Sequence, residues 1–187
     1  SSMPSGYLRG NFDSTYSTAS TSGNWIFSSS MTISDYIDTA YNGSFGVGVK
    51  LNVAAGNVVT HSVARHDTNG PLVRVGSGAA QAWRAVSFVG PGTWVQAGQI
   101  YGVGSLVLEP GSRVRIAATN NSTGQLYVSG ATLIFDNESH LGAFPATPST
   151  QLYLDNSTLV VSGAAFLSSN RMIQVSTGTI PFDISGS

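Results

Sequence analysis

Nine carboxylates are all that the 187 residues offer for acid–base chemistry: Asp13, Asp35, Asp38, Asp67, Glu109, Asp136, Glu138, Asp155 and Asp183. Hydrolysis of a glycosidic bond needs two of them facing one cleft at a set separation. Asp136 and Glu138 lie two apart and share a face if the strand through them continues, while Asp35 and Asp38 sit near a turn. Asp155 reads as a corner residue, because Asp side chains bond nearby backbone amides, and turns are the ordinary place for the others too. A lyase would want carboxylates around calcium beside a basic residue. The chain has a single lysine, Lys50, and no acidic cluster. His61 and His66 stand five apart with His140 distant, and cysteine is absent, so no metal-ligand set is spaced for use. No Gly-x-Ser-x-Gly elbow or phosphate loop is present. No catalytic residue, metal or cofactor is expected.

Binding is the remaining chemistry. Between His61 and Gly70 the chain gathers two of its three histidines with Arg65 and Asp67, against a background only 9% charged. This stretch reads as a loop projecting from the surface, and His61, Arg65, His66 and Asp67 are its recognition candidates, with an ordinary solvated corner as the alternative. Trp83, beside Gln81 and Arg84, falls in a break between patterned segments and joins them. Tyr127 and Tyr153 sit on the outward positions of their strands, where two rings form a flat platform for a sugar or a protein, or merely stack for stability. Trp94 falls inward and reads as core. Asn-x-Ser/Thr sequons at Asn42, Asn120, Asn121, Asn137 and Asn156 are what chance gives in so Ser-rich a chain.

The elements that position these residues follow from composition and spacing. Forty-four Ser and Thr, 11 Asn and 22 Gly supply the polar surface in place of long charged side chains. That excludes salt-bridge-laced helices and suits strands joined by tight turns. Net charge is −1 and the eight basic residues are scattered, so nucleic acid is not an expected partner. The longest apolar runs are a few residues, too short for a membrane-spanning helix. Lined up, the alternations repeat: Val86-Ser87-Phe88 then Trp94; Leu106-Val107-Leu108 then Val114; Leu126-Tyr127-Val128 then Leu133; Leu152-Tyr153-Leu154 then Leu159; Ile173-Gln174-Val175 then Ile180. Starts at 86, 106, 126, 152 and 173 recur every 20 to 26 residues, the length of one solenoid coil.

Fainter units begin at Trp25 and Leu51, and Leu72–Val75 supplies a further strand. About eight coils at roughly 4.8 Å each predict a rod about 40 Å long. Alternation turns Leu106, Leu108, Leu126, Val128, Leu152 and Leu154 into a continuous core, and leaves Val107, Tyr127, Tyr153 and Gln174 stacked outside. The fold expected is a right-handed parallel β-helix, one domain over 1–187. Residues 1–24 are read as an N-terminal cap and 25–187 as stacked coils, with 61–70 as the projecting loop. Handedness rests on the general preference of parallel crossovers. An antiparallel sandwich is the competing architecture.

From His140 to Gly186 the pattern sharpens: Leu141-Gly142, then Leu152 to Leu159, Leu167-Ser168-Ser169-Asn170-Arg171, then Ile173 to Phe182. This resembles the autotransporter-associated β-strand repeat, over about a quarter of the chain. The resemblance implies a β-helical passenger at a bacterial outer surface, secreted, whose usual roles are adhesion and self-association. Its expected partners are a host-cell or bacterial surface protein, a glycan, or a second copy. The family's repeats share no catalytic residues, so none is carried over. A carbohydrate-binding module and a polysaccharide-active β-helix enzyme are the alternatives. The apolar alternation from Ile180 to Ile184 is expected to form an open strand edge.

Overall fold

The computed structural model describes residues 24–33, 37–38, 49–62, 73–75, 85–102, 105–122, 124–163, 167–176 and 180–183. Successive passes of chain lay down strands in rotation. The first four passes give β1 (Asn24–Phe27), β2 (Met31–Ile33) and β3 (Ile37–Asp38); β4 (Val49–Val53), β5 (Val58–His61) and β6 (Val73–Val75); β7 (Ala85–Val89), β8 (Thr93–Gln96) and β9 (Ile100–Gly102); β10 (Ser105–Leu108), β11 (Arg113–Ile116) and β12 (Asn121–Ser122). The fifth gives β13 (Leu126–Ser129) and β14 (Thr132–Phe135), with a single 3-10 turn at Glu138–Leu141 in place of a third strand. β15 (Ser149–Asp155), β16 (Thr158–Val161), β17 (Arg171–Val175) and β18 (Phe182–Asp183) complete the series.

Pairing sorts these strands into three sheets. The first runs β1-β4-β7-β10-β13-β15-β17, the second β2-β5-β8-β11-β14-β16-β18, and the third β3-β6-β9-β12. Every pair is parallel. The described residues are therefore mostly β and built on parallel sheets, which does not fit the antiparallel sandwich.

Register explains the core. Leu51, Phe88, Leu108, Val128 and Leu154 align across neighbouring strands of the first sheet, and each is at most 2% exposed. Val86, Leu106, Leu126 and Leu152 form a second file two residues earlier. In the second sheet Val59, Trp94, Val114, Leu133 and Leu159 face them. Because alternate side chains point to opposite faces, a single register fixes a whole file. Burying each such aliphatic side chain contributes about 1.5–3 kcal/mol.

Corner chemistry holds the first two sheets together. At Val89-Gly90-Pro91-Gly92 the Gly90 backbone takes φ 86°, where a side chain is strained. A Cβ on Gly92 would lie 2.4 Å from the Ala54 carbonyl oxygen of the preceding pass. The Gly92 amide meanwhile donates to the Val53 carbonyl at 2.9 Å. Asn156 takes the matching left-handed role at the β15–β16 corner, with φ 44°.

The further strand expected at Leu72–Val75 is present as Val73–Val75, and it pairs with β3 and β9 as the third side of the second pass. Among the described residues seven strands stack in the first sheet, where about eight coils were expected. The third sheet was not anticipated, because its strands are only two or three residues long. Residues 1–23 of the expected N-terminal cap lie outside the described residues, as does Ile184.

Candidate functional site

Three of the described carboxylates, Glu109, Asp136 and Glu138, are tied into local ion pairs. Lys50 Nζ meets Glu109 at 3.0 Å across the first sheet. Asp136 takes His140 Nδ1 at 2.9 Å on one oxygen and stands 3.8 Å from Arg115 on the other. Glu138, two residues on, turns into the interior: Arg171 Nε donates to its Oε1 at 3.0 Å and the Ser168 amide to its Oε2 at 2.8 Å. Asp136 and Glu138 thus share no cleft, and a hydrolytic pair needs one. Asp13, Asp35 and Asp67 lie outside the described residues.

The Arg171 guanidinium does more than neutralise Glu138. It donates to the carbonyls of Leu141 at 3.4 Å, Gly142 at 3.1 Å and Ala143 at 3.3 Å, and to the Gln151 side chain. Next to it, Asn170 donates to the carbonyls of Pro145 and Ala146, both at 3.2 Å. Residues 141–146 are therefore pinned to the start of β17 by two side chains. A five-donor planar group suits this task, since a loop turning away from a sheet leaves several carbonyls to satisfy. The Asn170-Arg171 step of the repeat-like motif is thus a clamp whose partners lie about thirty residues upstream.

His61 is placed differently from expectation. It closes β5, in register with Ile33 and Gln96, and is wholly buried. Trp94 Nε1 donates to Gln96 Oε1 at 3.0 Å, and Gln96 Nε2 donates to the Gly98 carbonyl at 2.8 Å. Those two bonds fix the amide, and His61 Nδ1 lies 3.0 Å from its Nε2 and 3.2 Å from its Oε1. Rings of Phe27, Phe88 and His61 surround Trp94 with centroids 5.6, 5.7 and 6.0 Å away. Trp94 is core, as the alternation predicts, and a polar pair sits beside it because each of its groups finds a partner. The projecting loop therefore does not begin at His61, whose buried ring cannot touch a macromolecule. Arg65, His66, Asp67 and Trp83 lie outside the described residues.

The outward tyrosines are brought together. Tyr127 pairs with Tyr153 in register, and their rings stack with centroids 4.6 Å apart and planes 16° from parallel. Val107 lies on one side of the pair and Gln174 on the other. The Tyr127 hydroxyl donates to Gln125 Oε1, and Gln125 Nε2 donates to the Tyr153 hydroxyl at 3.1 Å. Gln125 was not singled out in the sequence; its signal is its place two residues before Tyr127, on the same face. Partial burial, and then the charge Tyr153 would carry, raise the Tyr127 pKa above its ordinary 10.0. This half-exposed cluster is the best-formed candidate site among the described residues. Among them, no group of three His, Cys, Asp or Glu is gathered for a metal, and no helix is long and apolar enough to cross a membrane.

No family model matches the chain, and searches against curated proteins and solved structures return no match either.

Proposed function

We propose that this chain is a stretch of right-handed parallel β-solenoid from a secreted bacterial surface protein of autotransporter-passenger type. Its role is structural and adhesive, without catalysis. One observation carries the reading: apolar files run unbroken through parallel strands, while the described acidic residues with resolved partners are held in local pairs. Repetition of one coil builds length at constant cross-section, and length is what an adhesin needs to present a surface away from a membrane. The right hand follows from the general chirality of parallel crossovers. The sequence resemblance over His140–Gly186 supports the surface setting.

Beads coated with the protein test the role. Attachment to bacterial or cultured host cells, or clumping of the beads with one another, is the expected result. Inert beads that neither attach nor clump count against the adhesive role. Incubation with plant and bacterial polysaccharides is expected to yield no new reducing ends and no unsaturated products. Turnover abolished by a single Asp substitution would replace the reading with an enzymatic one.

A further inference from the structure

We infer that the outward ladder of the first sheet, at Tyr127, Tyr153 and Gln174 with Gln125 alongside, is a binding site for a neutral glycan lying along the stack of strands. This deepens the adhesive reading by naming a ligand class, and rests on that reading only for the idea that the surface serves recognition. Register sets the three residues side by side on one face. Gln125 receives the Tyr127 hydroxyl and donates to the Tyr153 oxygen, so that oxygen is held in place while its own O–H has no acceptor among the described residues. Gln174 is exposed, and its amide makes no hydrogen bond among them. A positioned hydroxyl donor thus stands next to an amide that both donates and accepts.

The ligand class follows from spacing and charge. Neighbouring strands stand about 4.8 Å apart, close to the rise of one pyranose unit in an extended glycan, so successive sugar units meet successive strands. Asp155, two residues beyond Tyr153 on the same face, adds negative charge. The nearby guanidinium of Arg171 is buried against Glu138, and Lys50 is taken up by Glu109. Among the described residues of this ladder a polyanion would meet the Asp155 charge and one half-exposed cation, Lys50, which is paired with Glu109 three strands away from Tyr127, whereas a neutral chain of hydroxyls finds donors and acceptors beside the tyrosines. Because Tyr127 and Tyr153 turn a face to each other, no sugar inserts between them. Their stacking holds both rings before any ligand arrives, which limits the entropy lost on binding.

Affinity electrophoresis in gels containing hydroxyethylcellulose, laminarin, yeast mannan or heparin tests the site. The wild type, Tyr153→Phe, Gln174→Ala and the second-sheet control Val58→Ser are compared, each checked by thermal unfolding. Tyr153→Phe keeps the ring stack and removes only the hydroxyl. At least one neutral polymer is expected to retard the wild type and the control equally. Each ladder variant should bind roughly three- to tenfold more weakly, the effect of one lost hydrogen bond. Equal retardation of all four proteins, retardation by heparin alone, or none by the three neutral polymers overturns the site. A protein that attaches to cells but is not retarded loses this site and keeps the adhesive role.

Discussion

Tyr127 and Leu154 lie in strands that pair directly, yet they answer to different physics. Tyr127 ionises above the ordinary tyrosine value, because burial and then its neighbour's charge disfavour the phenolate. A raised folded-state value means that the folded protein holds this proton more tightly than the unfolded chain. The resulting stabilisation is full below pH 10 and is lost as pH rises through the raised value. Ultraviolet titration of the tyrosines should show a late component that disappears in Tyr127→Phe. At the core, Leu152→Ala should destabilise the protein by about 2–5 kcal/mol through a cavity. Tyr153→Ala should do much less, since its ring is only half covered. Urea unfolding of both variants checks the register, and equal small losses would show it to be wrong. The alternation made this contrast readable, because a period of two and spacings of 20 and 26 residues assign each side chain a face. His61 was misread for an equally physical reason. A polar residue in a weakly patterned stretch looks like loop, and the Gln96 amide that satisfies it lies 35 residues away.

Corners and clamps decide which elements form. Gly92 packs so closely on the preceding pass that Gly92→Ala must push the corner outward, weakening β8 against β5. A loss of about 1–3 kcal/mol, the size of a typical overpacking strain, is expected in chemical denaturation. The Arg171–Glu138 pair is nearly dry, with side chains 1% and 8% exposed. Removing one partner of such a pair strands the other, so Arg171→Leu should destabilise by about 3–5 kcal/mol. Glu138→Gln, which keeps an acceptor for Arg171, should cost clearly less, and the two are separable by thermal melts. The motif around Leu167–Arg171 was visible as a pattern, but its work was not. Nothing in a linear sequence shows that one arginine gathers Leu141, Gly142 and Ala143, residues 28 to 30 positions earlier. The third sheet escaped for want of length: β12 is Asn121-Ser122, which carries no apolar alternation.

Across the described residues, each inner strand of the first two sheets touches the pass before and the pass after, so cohesion is a chain of nearest-neighbour terms. Among the described residues β17 pairs with β15 alone, whereas β13 is flanked by β10 and β15. Amide hydrogen exchange should therefore release Arg171–Val175 before Leu126–Ser129 in dilute solution. Matching protection of both strands would indicate that the sheet opens as one unit.

Chain length is not spread evenly around the passes. Register-matched positions are five to six residues apart when the chain crosses from the first sheet to the second in most passes, as from Leu108 to Val114 and from Leu154 to Leu159. The return takes 14 residues from Trp94 to Leu108, 21 from Leu133 to Leu154 and 29 from Val59 to Phe88. One side of the molecule is thus an insertion-tolerant seam. Residues added there leave the phase of both apolar files untouched, because loop closure grows only slowly with length. Evolution can trial new surface segments along that seam without re-solving the core. A protein engineer could do the same, replacing the side chain of Phe144, already 60% exposed, while leaving the clamped carbonyls on either side of it in place.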